Sequence, residues 1–325
     1  MAEPTAAATP RLNYVLCTNP RGWHRMAYWE WGAADNDHVL LCVHGLTRNG
    51  RDFDTLAQQF SKQYRVVCPD MVGRGASDWL EDPDHYGFAQ YVGDIATLLA
   101  RLRPRRVTWL GTSMGGLIGL SVNYMLGQTA AGPLIQDSAL HPLPKSQEAD
   151  WLNCKSSPID KLILNDIGPE LALEGMRQIG RAAEQAQSFA SFEAACDFAQ
   201  QHWSGFGLQN EAQWQAYTRH YFVSNDSGQW QPHYDPAIIK AYVRGLAYPM
   251  EESQKFLWTL YQQLTIPVLI LRGAQSNVLS SAVYQRMLDE QPLAQGWENT
   301  QAGHAPSLLQ PEELAKIQRF LTDQS

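Results

Sequence analysis

The sequence contains no cysteine pattern that would support a disulfide framework or a zinc site. Its five cysteines, an odd number, stand at positions 17, 42, 68, 154 and 196, and none of them forms a C-x-x-C pair. The nine histidines include no H-E-x-x-H motif, so the sequence predicts no bound metal. These absences favour a reduced protein of the cytoplasm, in which Cys42 and Cys68 belong to apolar, strand-like runs.

The sequence also lacks the clustered positive charge that nucleic-acid binding requires. It has 25 Lys and Arg against 33 Asp and Glu, which gives a net charge of −8, and its densest basic run covers only residues 101–106. That run is typical of the exposed end of a helix that leads into a strand. We therefore expect no nucleic-acid partner.

Neither a signal peptide nor a membrane span is expected. Residues 1–10 have neither a basic start nor an apolar core, and we expect them to form a disordered leader. Residues 107–136 carry no charge, but four glycines fall within 111–119, and Thr112, Ser113 and Asn123 interrupt the apolar run. That composition favours a buried strand and helix over a membrane segment, so we expect no membrane partner.

Apolar strands alternate with helices along most of the chain. The first two segments, 12–18 and 23–31, are predicted to pair as antiparallel strands. The apolar runs typical of buried parallel strands cover residues 38–44, 64–70, 107–110, 161–166, 267–272 and 297–300. Amphipathic helices are predicted at 91–102 and from Pro311 onward. This alternation predicts an α/β fold with a mostly parallel sheet flanked by helices.

The alternation is interrupted between residues 169 and 258, where the pattern is helical and rich in Gln, Ala, Phe and Trp. We interpret 169–258 as a helical cap, inserted between two strands of a core that comprises 11–168 and 259–325. Residues 128–158 form a second irregular stretch, with four prolines. A direct connection would need only a few residues, so this stretch is interpreted as an insertion that borders the site.

Residues 111–115 read Gly-Thr-Ser-Met-Gly, between an apolar strand and a helical pattern. G-x-S-x-G in that context indicates a nucleophile elbow, a tight turn that pushes the hydroxyl of Ser113 outward. Bulkier residues at the two glycine positions would collide with the neighbouring strand and helix. The sequence therefore predicts Ser113 as a nucleophile.

A serine nucleophile needs a base within hydrogen-bond reach and a group that orients the base. In chains with this elbow, the acid follows the serine and the histidine comes last. The last histidine is His304, which stands after the last strand-like run and before the closing helix. We therefore predict His304 as the general base.

The predicted oxyanion hole consists of two backbone N–H groups. One belongs to Met114, directly after the nucleophile, and the other to Leu46, in the loop His44-Gly45-Leu46-Thr47. Arg48 follows this loop and could bind a substrate carboxylate; the alternative is a solvent-facing arginine near Asp52.

Four sequence elements together resemble the α/β-hydrolase superfamily. They are His44-Gly45, Pro69-Asp70-x-x-Gly73-x-Gly75-x-Ser77, Gly111-Thr-Ser-Met-Gly-Gly116 and Gly303-His304. The resemblance covers nearly the whole chain except the leader and the cap, and it is closest to bacterial esterases, lactonases and carbon–carbon hydrolases. It implies an eight-stranded sheet, a cap over the site and no cofactor. It also makes the loop from Pro69 to Ser77 a signature of the fold.

The sequence departs from the superfamily pattern at the residue that would orient His304. The triad acid usually follows the strand after the cap, where this chain has Asn277. An amide cannot stabilise the imidazolium, and the equivalent change in a serine protease costs about 10⁴ in kcat. Asp166, at the end of the strand before the cap, occupies a position that supplies the acid in some members of the superfamily, including certain dehalogenases.

Three explanations of Asn277 remain open at this level. The acid has moved to Asp166, or Asn277 is an engineered inactivating change, or the protein is a weak enzyme or a ligand sensor. The simpler interpretation of Asp166 is that it caps the turn at Gly168-Pro169.

We predict a serine hydrolase that cleaves an ester, thioester or lactone of a small or medium acid through an acyl-enzyme. A serine at the elbow disfavours epoxide hydrolases and haloalkane dehalogenases, which need a carboxylate nucleophile. The alternatives are a carbon–carbon hydrolase of a ring-cleavage product and a ligand-binding homologue with little activity. The expected partner is a small-molecule substrate, and the sequence does not determine the oligomeric state.

Overall fold

The computed structural model describes residues 9–131, 157–185 and 188–323. Its main feature is an eight-stranded sheet with the strand order β1-β2-β4-β3-β5-β6-β9-β10. The strands of the sheet are β1 Arg11–Asn19, β2 Gly22–Trp31, β3 His38–Val43, β4 Arg65–Pro69, β5 Arg106–Thr112, β6 Ile159–Asn165, β9 Val268–Gly273 and β10 Ala294–Asn299. A separate hairpin pairs β7 Phe222–Ser224 with β8 Trp230–Pro232.

Helices connect most of the strands. They are α1 Asp54–Phe60, α2 Phe88–Leu102, α3 Met114–Ala131, α4 Leu173–Gln185, α5 Phe192–His202, α6 Glu211–Thr218, α7 Ala237–Gly245, α8 Glu251–Gln262, α9 Ser281–Glu290 and α10 Pro311–Thr322. None of the helices in the described ranges is both long and apolar enough to cross a lipid bilayer.

The sheet is antiparallel only at one edge. β1 pairs antiparallel with β2, and β2 pairs antiparallel with β4, whereas all strands from β4 to β10 in the sheet order pair parallel. The predicted α/β class with a mostly parallel sheet is therefore confirmed, as is the eight-stranded sheet that the resemblance implies. The predicted helices at 91–102 and from Pro311 onward correspond to α2 and α10.

The parallel strands are buried on both faces of the sheet, which explains why their sequences are apolar throughout. Along β3, Val39, Leu41 and Val43 belong to one core cluster, whereas Leu40 and Cys42 belong to another. Successive side chains of a strand point to opposite faces, so both faces of the sheet are covered. The large core holds the parallel strands in place, and their carboxyl ends meet at one edge.

The segment between β6 and β9 contains α4 to α8 together with the hairpin β7–β8. A purely helical segment was predicted for 169–258, whereas the structure also has two short strands there. The predicted boundary at 258 also falls inside α8, which continues to Gln262. Most of the irregular stretch 128–158, and all of the leader except residues 9 and 10, lie outside the described residues.

Candidate active site

Ser113 occupies a sharp turn between β5 and α3. Its φ of 51° lies in the left-handed region, which few residues other than glycine adopt without strain. Its backbone N–H donates to Asn165 O at 2.9 Å, which anchors the turn to the end of β6. A β-carbon at Gly115 would lie only 2.0 Å from Val43 O, so that position requires glycine. The turn has the backbone geometry that the motif predicts.

Three side chains from distant parts of the chain meet at this turn. Ser113 Oγ lies 2.9 Å from His304 Nε2, and His304 Nδ1 lies 2.6 Å from Asp166 Oδ2. Asp166 is fully buried, and the His304 side chain is 9% exposed. With a proton on Nδ1, His304 donates to Asp166 and leaves Nε2 free to accept the proton of Ser113.

Asp166 is held by two further donors, both from the end of β9 and the loop after it. The backbone N–H of Gly273 donates to Oδ1 at 2.8 Å, and the hydroxyl of Ser276 donates to Oδ2 at 2.5 Å. The oxygen of Ser276 accepts bonds from the backbone N–H groups of Val278 and Leu279, which directs its proton toward Asp166. The carboxylate therefore has a donor on each oxygen and a fixed orientation.

Asn277 does not contact His304. Its side-chain amide donates to Gln178 Oε1 at 2.5 Å, and Asn277 is exposed to solvent. The structure thus brings Asp166, and not Asn277, to the imidazole. Ser276 was missed by the sequence analysis, since no local pattern distinguishes it from any other serine of a loop.

The loop after β3 passes directly beside Ser113. A β-carbon at Gly45 would lie 3.8 Å from Ser113 Cβ, which is ordinary van der Waals contact and shows that this loop packs against the turn at Ser113. Within the described residues, the backbone N–H groups of Leu46 and Met114 have no hydrogen-bond acceptor. Both groups are therefore available to a ligand beside Ser113.

His44 braces this loop. Its Nε2 accepts the backbone N–H of Met71 at 2.9 Å, so Nδ1 carries the proton and donates to Gly45 O at 2.7 Å. Burial lowers the pKa of His44 to about 3, which keeps the ring neutral and both bonds intact. The loops after β3 and β4 are joined through this ring.

Arg48 is buried, so the solvent-facing alternative is wrong. It forms a bidentate ion pair with Asp52 at 2.5 and 2.7 Å, and it donates to the backbone oxygen of Tyr217 at 2.8 Å. Its guanidinium stacks 3.8 Å from the ring centre of Tyr217 and 4.9 Å from that of Tyr221. One nitrogen, Nη1, is buried without a partner among the residues described.

A cavity of about 870 Å³ opens beside these groups. Ser113, His304, Leu46, Met114 and Arg48 are all part of its wall. The segment between β6 and β9 supplies much of the remaining, largely apolar wall, including Ile167, Met176, Ile179, Ala182, Leu246 and Leu257. The volume is within the range of small-molecule sites, and Ser113 and His304 face a mainly apolar space.

Three potential metal ligands lie together outside this cavity: Cys17, His24 and Asp94, all buried. The ring nitrogens of His24 already face Asp94 Oδ2 at 3.1 Å and Asn19 Nδ2 at 3.2 Å. Burial raises the pKa of the Cys17 thiol to about 12, which opposes the thiolate that a metal requires. The arrangement fits a buried hydrogen-bond cluster better than a metal centre.

Comparison with known proteins is consistent with this geometry. The profile of the alpha/beta hydrolase family matches residues 40–317. A 3-hydroxybutyrate-oligomer hydrolase of Cupriavidus necator is 38% identical over 319 residues, which cover 97% of this chain and 99% of that protein. Among solved structures, an alpha/beta hydrolase from Novosphingobium aromaticivorans has 31% identity and a TM-score of 0.76, with 97% of this chain and 98% of that one covered.

A more distant structure, E-2-(acetamidomethylene)succinate hydrolase, shares the fold at 19% identity, with a TM-score of 0.71 over 96% of this chain and 100% of that one. The family profile and the relative from Cupriavidus necator both extend over most of the sequence. This chain therefore belongs to the alpha/beta hydrolase family and is a hydrolase.

Proposed function

We propose that the protein is a serine hydrolase that cleaves carboxylic esters through an acyl-enzyme. The observation that carries this proposal is the contact of Ser113 Oγ with His304 Nε2 at 2.9 Å, together with that of His304 Nδ1 with Asp166 at 2.6 Å, in the wall of the cavity. A hydroxyl beside a neutral imidazole that a buried carboxylate orients is the arrangement needed to activate serine.

The first half of the reaction forms the acyl-enzyme. Ser113 Oγ attacks the ester carbonyl while His304 Nε2 takes its proton, and Asp166 stabilises the resulting imidazolium. The backbone N–H groups of Leu46 and Met114 bind the oxyanion of the tetrahedral intermediate. His304 then returns the proton to the departing alkoxide, which leaves as the alcohol.

The second half repeats these steps with water. His304 takes a proton from a water molecule, whose oxygen attacks the acyl carbon. Collapse of the second intermediate releases the carboxylic acid, and His304 returns the proton to Ser113. Proton transfer to and from His304 balances in each half, so the cycle needs no cofactor.

We propose oligoesters of small hydroxy acids as the substrate class. The name of the relative from Cupriavidus necator supports this choice, because it refers to 3-hydroxybutyrate oligomers. A largely apolar cavity of about 870 Å³ has room for several short ester units. Thioesters and lactones require the same chemistry and remain within the proposal. We also propose that residues 169–258 act as the cap, since they supply much of the cavity wall.

We propose a limited substrate-binding role for Arg48. Its charge is already balanced by Asp52, which makes it a poor receptor for a second carboxylate. Arg48 still lines the cavity, so its role is limited to shaping the polar part of the wall that a substrate contacts. The paired charge also disfavours carbon–carbon hydrolysis of ring-cleavage products, whose carboxylates need a free cation.

We propose the cytoplasm as the compartment. The support is that Cys17, Cys42, Cys68 and Cys196 are free and buried, as in a protein that stays reduced.

The test combines covalent labelling with turnover. A fluorophosphonate probe is expected to label the wild type and not Ser113→Ala, and the wild type is expected to release monomer from the dimer and trimer of 3-hydroxybutyrate. Labelling without turnover of these oligomers or of p-nitrophenyl esters of increasing chain length would refute the substrate class. Absence of both labelling and turnover would favour a ligand-binding protein.

A further inference from the structure

Arg74 is a buried cation with no part in the reaction described above. It lies in the loop after β4, between Gly73 and Gly75, and its side chain is 0% exposed. The guanidinium contacts both residues proposed to bind the oxyanion. Nε donates to the backbone oxygen of Leu46 at 2.9 Å, and Nη2 lies 3.8 Å from Met114 Sδ.

The charge of Arg74 has no carboxylate partner among the residues that the structure describes. Nη1 donates to Val72 O at 2.8 Å and to the hydroxyl of Tyr91 at 3.0 Å, so each acceptor around the guanidinium is neutral. Arg48 differs, since Asp52 neutralises it. An unpaired charge is costly to remove from water, and a guanidinium keeps its proton in proteins. The site therefore holds a permanent positive charge directly behind the cavity wall.

We propose that Arg74 is a positioning residue that stabilises the tetrahedral intermediate, a role that rests on the proposed serine hydrolase function. Its bond to the Leu46 carbonyl holds the loop in the orientation that presents the Leu46 N–H to the oxyanion. Because its guanidinium contacts no carboxylate among the described residues, the oxyanion adds a negative charge beside a cation that has no ion-pair partner. Arg74 therefore favours the intermediate over the neutral ester, which raises kcat more than it lowers KM.

The expected size of the effect follows from Coulomb's law. A unit charge about 7 Å from the oxyanion, at the effective dielectric constant of about 20 typical of proteins, changes the rate about 50-fold. Arg74→Met is expected to lower kcat for p-nitrophenyl butyrate by this factor, with KM within threefold of the wild type. Arg74→Lys keeps the charge and is expected to retain kcat within tenfold.

Affinity for an oxyanion mimic distinguishes this role from a packing role. Butaneboronic acid forms a negatively charged adduct with an active serine. Its inhibition constant should therefore rise in Arg74→Met by the same factor by which kcat/KM falls. Arg65→Met is the matched control. Arg65, at the start of β4, is also largely buried, but its charge is paired with Glu30 of β2. This variant should leave kcat and the inhibition constant within twofold.

The outcomes separate the two proposals. If the wild type neither reacts with the fluorophosphonate nor hydrolyses esters, the proposed function fails. If the wild type is active and Arg74→Met keeps kcat and boronate affinity within threefold, the role of Arg74 is refuted. Should Arg74→Met not fold, Arg74→Lys decides: boronate affinity within tenfold of the wild type supports the role, and any larger loss overturns it.

Discussion

Replacing Asp166 by asparagine tests the assignment of the triad acid most directly. In the native site, Oδ2 accepts bonds from both His304 and Ser276, and Oδ1 accepts the N–H of Gly273. An amide nitrogen at the Oδ2 position would face two donors. At the Oδ1 position it would face a backbone N–H. Either orientation therefore sets one donor against another. With the nitrogen at the Oδ2 position, His304 is driven to the tautomer that cannot accept the proton of Ser113.

The expected loss is large. The same change in a serine protease lowers kcat about 10⁴-fold, equivalent to about 5.5 kcal/mol of transition-state stabilisation. We expect a similar loss in Asp166→Asn. Asn277→Asp should leave kcat within about threefold of the wild type, because Asn277 is exposed and bonded to Gln178 rather than to His304. The double variant should remain as inactive as Asp166→Asn.

Initial rates of p-nitrophenyl butyrate hydrolysis at saturating substrate measure this loss. Asp160→Asn is the control, because Asp160 lies on the same strand, β6, but pairs with Arg106 far from Ser113. Far-ultraviolet circular dichroism establishes that each variant is folded. The assignment would be refuted if Asp166→Asn kept more than a tenth of the wild-type kcat, or if Asn277→Asp raised the rate a thousandfold.

Three further changes have expected outcomes. Gly115→Ala places a β-carbon 2.0 Å from Val43 O, so urea unfolding should show about 3 kcal/mol lower stability; an unchanged midpoint would contradict the tight elbow. Burial lowers the pKa of His220 from 6.5 to about 4, so the unfolded chain binds a proton that the native chain does not. The free energy of unfolding of the wild type should therefore fall relative to that of His220→Gln as the pH drops from about 6.5 toward 4, by up to about 1.4 kcal/mol per pH unit. The same pH dependence in both proteins would contradict this. Ala182→Phe narrows the cavity, so kcat/KM should fall more than tenfold for p-nitrophenyl octanoate and stay within twofold for the acetate; equal losses on both esters would contradict this.

Much of the fold could be predicted because the parallel strands are covered on both faces. Such strands are continuous apolar runs bounded by turn residues, as at β3 and β4, and they are visible without any long-range information. The hairpin of β7 and β8 was not predicted, since strands of three residues are too short to show an alternating pattern. The predicted boundary at residue 258 lies inside α8, because nothing in the sequence of this helix marks where it ends.

The candidate site could be predicted from the sequence where its pattern is local. The pattern around Ser113 is contiguous, and the order of the chain selects His304. The choice between Asp166 and Asn277 depends on which strand end lies beside the imidazole, which no local pattern determines. Arg74 lies in the loop from Pro69 to Ser77, which the sequence analysis identified only as a signature of the fold. Its contact with Leu46 joins residues 28 positions apart, so it becomes visible only in three dimensions.

Asp166 directly follows β6, and its carboxylate accepts the backbone N–H of Gly273 at the end of the neighbouring strand β9. Its oxygen atoms could be delivered to the same point in space from either strand. A search that looks for the acid only after β9 would therefore overlook Asp166, so the residue that follows β6 should be inspected as well.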